Sequence, residues 1–343
     1  MTLAEALIVA AVVQRNRGDL GASIDGLRAA VDAADLGRTR VDAWIELSFS
    51  LQTADRFDDA AEVLDRADAA LATAPDPVRA ISALTARGTL LGRRSDYAGA
   101  VAVFERVQAL SVDSYGPDSW QVAAPHANLA VALRRLGRSD EAIAHGRRAV
   151  ELFGALGAQH PRALLARRAL AQAMGMGGRH AEAEQELRAL LEIQRRRLGD
   201  EHPDVAELRG GLAVELHALE RDDEAEALMR AALAVQVRVD PDGKGALNTR
   251  ANLAELMSAA GRDAEAEPLH RAVLASRLAR FGPDHVDVAA SRRNLGNSLR
   301  MQYRFKEAAV ELKQARAILV ARYGANHPDV ANIDGSLAQM RGR

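Results

Sequence analysis

The feature that most constrains the fold of this 343-residue chain is an internal repeat of about 42 residues. A leucine ends a short apolar segment six times, in the same register of the repeat each time. These leucines are Leu129, Leu170, Leu212, Leu253, Leu295 and Leu337, spaced 41 or 42 residues apart. A fixed period of this length indicates a stack of one supersecondary unit, not one spherical core.

Two further markers recur in the same register. A turn that leads into a Glu-Ala pair follows the leucines, as in Gly137–Ala142, Gly178–Ala183 and Gly261–Ala266. A Gly-x-x-His motif closes the unit, usually with Pro after the histidine; its histidines are His160, His202, His285 and His327. Because three independent markers keep one register, we predict about eight copies of the unit, with the earlier copies more diverged.

Each unit is predicted to contain two helices. Apolar residues three and four apart continue for about 15 residues after the His-Pro pair, and Pro suits a first helical turn. The turn glycine ends this helix, because Gly tolerates the left-handed conformation common at helix C-termini. A second helix of about 17 residues begins with acidic residues near its positive end. With aromatic residues at only 3%, the chain is predicted to be all-α, with about seventeen helices.

One column of small residues predicts how the two helices of a unit pack. Seven of the eight copies have alanine at the same early point of the second helix, and Ser23 occupies that point in the remaining copy. The alanines are Ala60, Ala100, Ala142, Ala183, Ala225, Ala266 and Ala308. A larger side chain at such a close helix crossing would overpack it.

These residues resemble the tetratricopeptide repeat, a helical hairpin with small residues at fixed places. The 42-residue unit with Gly-x-x-His-Pro-Asp-Val-Ala is similar to the repeats of kinesin light chains and their bacterial relatives. The resemblance implies a right-handed α-solenoid of about eight hairpins plus a C-terminal helix. We expect one solenoid over residues 1–343, with diverged repeats in 1–115 and regular repeats in 116–343.

Composition and charge exclude several classes of function. The 45 basic and 47 acidic side chains nearly cancel, which gives no electrostatic footprint for nucleic acid or an anionic membrane. Cysteine is absent, so disulfides, thiolate zinc sites and Cys nucleophiles are excluded. The apolar segment Ala4–Val13 is too short to span a membrane and lacks the basic start of a secretory signal. We therefore expect a cytoplasmic protein with a buried first helix, no membrane insertion and no nucleic-acid partner.

The common catalytic motifs are missing from the sequence. Gly175–Gly178 follows no predicted strand, and Asp240–Gly243 lacks the later ligands of a calcium loop. The four recurring histidines belong to different repeats, about 10 Å or more apart, which is too far for one zinc ion. We therefore expect them to be structural loop residues, and we expect no enzyme activity, no cofactor and no metal.

The resemblance implies that the first helix of each repeat lines a concave groove. The residue before the marker leucine then points into the groove, and it is an asparagine in three copies: Asn128, Asn252 and Asn294. In this family such an amide pairs with the backbone of an extended peptide. The match fails where Ala169, Gly211 and Ser336 replace asparagine. An alternative, left open, is that these asparagines bond within their own repeat.

Charged residues are also expected in the groove. The basic ones are Arg93, Arg134, Arg135, Arg168, Arg293 and Arg300, and the acidic ones are Glu5, Asp42, Glu46, Glu207 and Glu255. Arginines crowd repeats 3–5, which favours an acidic partner there, because Arg grips carboxylates in a bidentate fork. The alternative is that these arginines are solvated or paired with neighbouring acids.

The sequence as a whole predicts a non-enzymatic module that binds an extended peptide or protein segment, and the resemblance implies that it is part of a bacterial signalling protein. Two alternatives stay open. The array could be a self-association scaffold, since the apolar opening Leu7–Val13 suggests that something packs against the first repeat. It could also be a helical-repeat enzyme, which would need a cluster of convergent polar side chains without a packing role.

Overall fold

The architecture is known from a computed structural model, which describes residues 1–35, 37–325 and 327–340. Over these ranges the chain forms seventeen α-helices and one 3-10 turn at Trp120–Val122, and no strand. The predicted all-α fold and helix number are confirmed. The helices are α1 (Leu3–Asn16), α2 (Leu20–Ala33), α3 (Arg38–Thr53), α4 (Phe57–Thr73), α5 (Pro77–Arg93), α6 (Tyr97–Tyr115), α7 (Ala123–Arg135), α8 (Ser139–Gly154), α9 (Pro161–Met176), α10 (His180–Leu198), α11 (Pro203–Ala218), α12 (Asp222–Val239), α13 (Lys244–Ala259), α14 (Asp263–Phe281), α15 (Val286–Met301), α16 (Phe305–Tyr323) and α17 (Pro328–Ala338).

The helices form two compact units. Unit one is Met1–Arg179, with α1 to α9, and unit two is His180–Arg343, with α10 to α17 among its described residues. Within each unit every helix packs against the helix that follows it in the chain, so α1 pairs with α2 in unit one and α15 with α16 in unit two. Each unit is thus a stack of helical hairpins with its own core, as the repeat predicts.

The turn after each odd-numbered helix from α1 to α15 contains one residue with positive φ, which we call the turn residue. Glycine occupies four of the eight positions, at Gly18, Gly137, Gly178 and Gly261. The other four turn residues are Asp55, Ser95, Glu220 and Tyr303, with φ between 56° and 65°. The left-handed conformation was predicted at the glycines, and it holds at the same register without glycine. It is therefore the hairpin geometry, not the residue type, that fixes this turn.

The alanine column lies early in each even-numbered helix. All seven alanines are fully buried, and so is Ser23. The Ser23 hydroxyl exchanges a 2.9 Å hydrogen bond with the Ser50 hydroxyl, which satisfies both groups inside the core. The burial of the whole column fits the predicted close crossing, which sets the spacing of the odd-numbered helices on which the candidate site lies.

The four recurring histidines are helix N-caps. In each, the imidazole Nδ1 accepts the backbone N–H two residues later, at 3.1 to 3.3 Å. Two of the rings also stack on the aromatic residue that ends the preceding helix, Phe281 on His285 at 4.5 Å and Tyr323 on His327 at 4.7 Å between centroids. Their expected role as structural loop residues is confirmed, because an N-cap acceptor satisfies a backbone donor that the helix leaves free.

Unit two has a ladder of buried and partly buried charge along its even-numbered helices. Glu184, Glu226 and Glu267 recur at the period of the repeat, and each receives an arginine from the next hairpin. At Glu267, burial alone would raise the carboxyl pKa, but hydrogen bonds from Arg304 (2.7 Å) and Gln302 (3.0 Å) outweigh it and hold that pKa below its usual range. These bonds join neighbouring hairpins through groups that burial would otherwise destabilise.

Candidate functional site

One face of α7 remains open to solvent, and the same register positions are exposed or half-buried in α9, α11, α13 and α15. In α7, Ala124, Val131 and Arg135 are exposed and Asn128 is half-buried, while Leu129, Ala130, Ala132 and Leu133 between them are buried. These open positions lie 13, 9, 6 and 2 residues before the turn residue Gly137, a spacing that keeps them on one side of a helix. We call this set of positions the open face.

The open face of unit one has an apolar and basic patch on α7 and α9. Val131 is 43% exposed, Leu165 is 58% exposed and Met176 is 57% exposed, high values for large apolar side chains. Arg134 and Arg135 lie at the end of α7, where Arg134 contacts Met176. We call these five residues the apolar-basic patch. Val131 and Met176 lie toward the C-terminal ends of their helices, and Leu165 lies near the start of α9. Several large apolar side chains exposed on neighbouring helices mark a binding surface more often than a single one does.

The two arginines of the patch have no carboxylate partner among the described residues. Arg134 Nη1 donates to Met176 Sδ at 3.2 Å, and a thioether is a weak acceptor. Burial lowers the pKa of the Arg134 guanidinium, and the positive charge of Arg135 lowers it further. A partly desolvated cation without a counter-charge gains most from an incoming carboxylate. The two arginines of the patch are therefore available to bind a negatively charged group of a ligand.

The acidic residues at the start of unit one are occupied. Glu46 accepts from Arg15 Nη2 at 2.8 Å, and Asp42 accepts from Arg79 Nη2 at 2.6 Å. Glu5 closes a capping box with Thr2 at the start of α1. Glu5, Asp42 and Glu46, three of the acidic residues expected in the groove, are therefore engaged within the protein, while the arginines of the patch have no carboxylate partner among the described residues.

The open face of unit two carries amides on α13 and α15. Asn252 and Asn294 lie there, and Asn248 and Asn297 lie at neighbouring open-face positions that the asparagine column did not include. Asn294 Nδ2 donates to Glu255 Oε1 of the preceding repeat at 2.9 Å, and Ser336 Oγ donates to Asn297 Oδ1 at 3.2 Å. The side chain of Asn252 makes no hydrogen bond within the described residues, and the same is true of Asn128 in unit one.

The remaining predicted arginines are held by neighbouring repeats or lie beside the open face. Arg293 donates to Asp329 at 2.9 Å and Arg300 to Gln339 at 2.8 Å, both toward the α17 end of unit two. Arg93 donates to the Gln52 carbonyl at 2.9 Å. Arg168 is half-buried on α9, next to the open face. Of the arginines proposed for the site, Arg134 and Arg135 are the two that the structure leaves available.

Sequence reasoning missed the apolar side of this site. Val131, Leu165 and Met176 occupy the same register columns as polar residues in other repeats, and the repeat period is the signal that could have found them. No group of three or more His, Asp or Glu side chains is placed to share a metal ion in the described part of the chain. None of its described helices is both long and apolar enough to cross a bilayer.

The proteins that this chain resembles share its helical repeat. The sequence profile of the tetratricopeptide repeat matches residues 79–155, 121–193, 162–236 and 245–319. No curated protein sequence matches the chain. Among solved structures, TPR-like repeats assigned to a kinesin light chain of Podosopora anserina are 26% identical with a TM-score of 0.50, and the match covers 57% of this chain and 93% of that one.

Two more distant structures share the fold over most of the chain. A Rap protein complexed with Competence and Sporulation Factor is 12% identical with a TM-score of 0.65, and covers 98% of this chain and 99% of its own. The apo quorum sensor NprR from B. thuringiensis is 11% identical with a TM-score of 0.60, and covers 92% and 97%.

Proposed function

The chain belongs to the tetratricopeptide repeat family, and from that premise we propose that it is a non-enzymatic protein-interaction module of a bacterial signalling protein. It binds an extended segment of a partner protein along the open faces of its odd-numbered helices, in the cytoplasm. The observation that carries the proposal is the apolar-basic patch, where large apolar side chains are exposed on the two helices that hold Arg134, Met176 and their 3.2 Å contact, and where neither arginine has a carboxylate partner among the described residues. Exposed apolar surface of this kind is typical of a site that a binding partner covers when the protein functions.

The chemistry of the patch specifies one part of the ligand. One apolar ligand side chain would contact Val131 and Met176, and a carboxylate next to it would bind Arg134 and Arg135. A second apolar side chain of the ligand would contact Leu165, which lies about 16 Å from Met176 along α9. A charge-assisted hydrogen bond contributes about 1.5–3 kcal/mol when it is shielded from water, and apolar contact beside the pair supplies that shielding. The ligand of unit one is thus expected to alternate acidic and apolar residues.

The open face of unit two suits a different contact. An amide offers both a donor and an acceptor, which matches the backbone of an extended peptide. Asn252 is the best placed for this role, because its side chain makes no hydrogen bond within the described residues. Binding there would depend little on salt or on ligand sequence, since neutral amides contact the main chain.

The comparisons support a peptide or protein partner. The Rap protein is complexed with Competence and Sporulation Factor, and NprR is a quorum sensor. Both share the helical-hairpin fold, so the fold is compatible with ligand recognition in signalling. Partner identity in this chain is then set by the patch and the amide face.

Peptide selection tests the proposal and defines the preferred ligand sequence in the same experiment. A displayed library of random peptides is selected on the full chain, and the bound peptides are sequenced. We expect enrichment of acidic residues beside Leu, Ile or Phe, with affinity that weakens as salt rises. Leu165→Asp should weaken binding at least about tenfold, because it places a like charge beside the acidic ligand. Val310→Asp is the matched control, since Val310 is 54% exposed on the even-numbered helix α16. Equal losses in both variants would contradict the proposal.

A second candidate function, self-association, has one observation in its favour. Four large apolar side chains of α1 and its start are exposed: Met1, Leu3, Val9 and Val13. Large apolar side chains exposed together on one helix are typical of a surface that a partner or a second copy covers. Multi-angle light scattering distinguishes the two functions: a monomer at all concentrations excludes self-association, whereas a dimer that Val13→Asp converts to a monomer supports it.

A further inference from the structure

The methionines of this chain fall into two groups by exposure. Met174, Met229, Met257 and Met340 are buried, with Met174 only 7% exposed. Met176 and Met301 are 57% and 54% exposed, and each lies two residues before its turn residue, on the open face of α9 and α15. Met1, at the chain end, is the one other methionine of the seven in the sequence. Two exposed thioethers thus lie on the surface proposed for ligand binding.

Met176 differs from Met301 in its hydrogen bond. Its Sδ accepts from Arg134 Nη1 at 3.2 Å, whereas Arg300, the sequence neighbour of Met301, donates to Gln339 instead. A thioether sulfur is a weak acceptor, and a sulfoxide oxygen is a strong one. Oxidation at Met176 would therefore change the strength of a contact that already exists.

We infer that Met176 is a reversible oxidation site that regulates the apolar-basic patch. A peroxide transfers one oxygen atom to Met176 Sδ: the O–O bond breaks, an S–O bond forms, the sulfur loses two electrons, and the peroxide is reduced to water or an alcohol. The sulfoxide oxygen then accepts the hydrogen bond of Arg134 in place of the sulfur lone pair. Methionine sulfoxide reductases reverse the step.

The expected consequence rests on the proposed function. Oxidation replaces an apolar contact with a polar, chiral group and holds the Arg134 guanidinium away from the ligand carboxylate. Both changes should lower the affinity for a ligand that carries acidic and apolar side chains. Met301 oxidises as well, but no arginine among the described residues donates to its sulfur, so oxidation there should leave the patch unchanged.

The selectivity of oxidation is tested on the full chain with dilute hydrogen peroxide and tryptic mass spectrometry. Met174 and Met176 fall in one tryptic peptide, residues 169–179, so fragment ions compare them directly. We expect Met176 and Met301 to oxidise at least about tenfold faster than Met174, following exposure. Equal rates for Met174 and Met176 would overturn the inference.

The Arg134 contact is tested by phenylglyoxal labelling, which needs no ligand. After oxidation, labelling of Arg134 should slow at least about threefold, because its guanidinium gains a stronger acceptor, while Arg135 labels as before. Met176→Leu should remove the effect and Met301→Leu should keep it. Unchanged Arg134 labelling in the oxidised wild type would refute the inference.

A binding experiment separates this inference from the proposed function. The probe is a fluorescent peptide of alternating glutamate and leucine. Reduced protein that fails to bind the probe contradicts the proposed function and leaves the labelling result to decide the oxidation site. Where the reduced protein binds, oxidised wild type should bind at least about threefold more weakly, and oxidised Met176→Leu should bind like its reduced form. Equal loss in Met176→Leu would overturn the regulatory role.

Discussion

Two glycines in odd-numbered helices should respond oppositely to the same substitution by alanine. A Cβ added at Gly296 in α15 would lie 2.7 Å from Leu312 Cγ and 3.3 Å from the Ala308 carbonyl oxygen. A Cβ added at Gly211 in α11 would have Leu187 as its neighbour, at 3.9 Å, which is ordinary contact. Gly296 therefore lies at a close crossing with α16, whereas Gly211 lies on the open face.

The magnitudes follow from two opposing effects. Alanine in place of a mid-helix glycine stabilises a helix by about 0.5–1 kcal/mol. At Gly211 that gain stands alone, so Gly211→Ala should stabilise unit two by about 0.5–1 kcal/mol. At Gly296 the added methyl overpacks a fully buried leucine, which costs about 1–3 kcal/mol. Because Leu312 is contacted at Cγ, not at its flexible end, the net effect of Gly296→Ala should be about 1–2 kcal/mol of destabilisation.

Thermal and urea unfolding followed by circular dichroism measure both variants against wild type. For a unit of this size, 1 kcal/mol corresponds to roughly 2–4 °C in Tm, so the two variants should separate clearly. Helical content should stay the same in both. A stabilised Gly296→Ala would refute the close crossing of α15 and α16, and a destabilised Gly211→Ala would refute the placement of Gly211 on the open face.

Three further predictions concern the charge ladder, acid stability and the amide face. Glu267→Gln should destabilise unit two by about 1 kcal/mol in urea unfolding, since Arg304 loses a partly buried partner. The control Glu307→Gln removes an exposed carboxylate and should destabilise less, and a larger loss of stability in Glu307→Gln than in Glu267→Gln would contradict the ladder. Burial, with the nearby positive charge of His145, lowers the pKa of His126 to about 4 from its ordinary 6.5. Because the unfolded chain binds the proton more readily than the folded one, the contribution of neutral His126 to the free energy of unfolding is complete above pH 6.5 and is lost as pH falls toward 4. For this half-buried group the loss is about 1 kcal/mol. His126→Gln should therefore flatten the pH profile of Tm between 6.5 and 4.5, and an unchanged slope of that profile would refute the assignment. Gly211→Asn should restore the amide missing from its repeat and strengthen binding of a selected extended peptide about two- to fivefold, as measured by fluorescence anisotropy; weaker binding would count against the amide role.

The hairpins and their turns could be predicted because the same residues recur at the same positions in successive repeats. A small alanine, a helix-ending turn and a helix-starting His-Pro pair each recur in register. A match that could arise by chance in one copy is therefore supported by the same match in the other copies. The structure adds that Glu220 and Tyr303 adopt the same left-handed turn as the glycines. A single-residue rule for glycine would have missed them.

The site was only partly predictable, for a physical reason. Asn252 and Asn294 could be placed on the open face because they share a column with a family-wide feature. Leu165 and Met176 were missed because an apolar residue in a helix looks the same in sequence whether it faces the core or the solvent, and only its column in the repeat distinguishes the two. The bond from Asn294 to Glu255 joins residues 39 positions apart, and such a partner follows only from the stacking of successive hairpins.

The measurement that tests the central claim most directly is site-specific photo-crosslinking with a selected peptide. Benzoylphenylalanine is placed at Leu165 on the open face of unit one, at Asn252 on that of unit two, or at Val310 on α16. We expect peptide crosslinks from Leu165 or Asn252, competed by excess unlabelled peptide, and none from Val310. Crosslinks from Val310 alone would show that the partner binds elsewhere, and would contradict the open-face account.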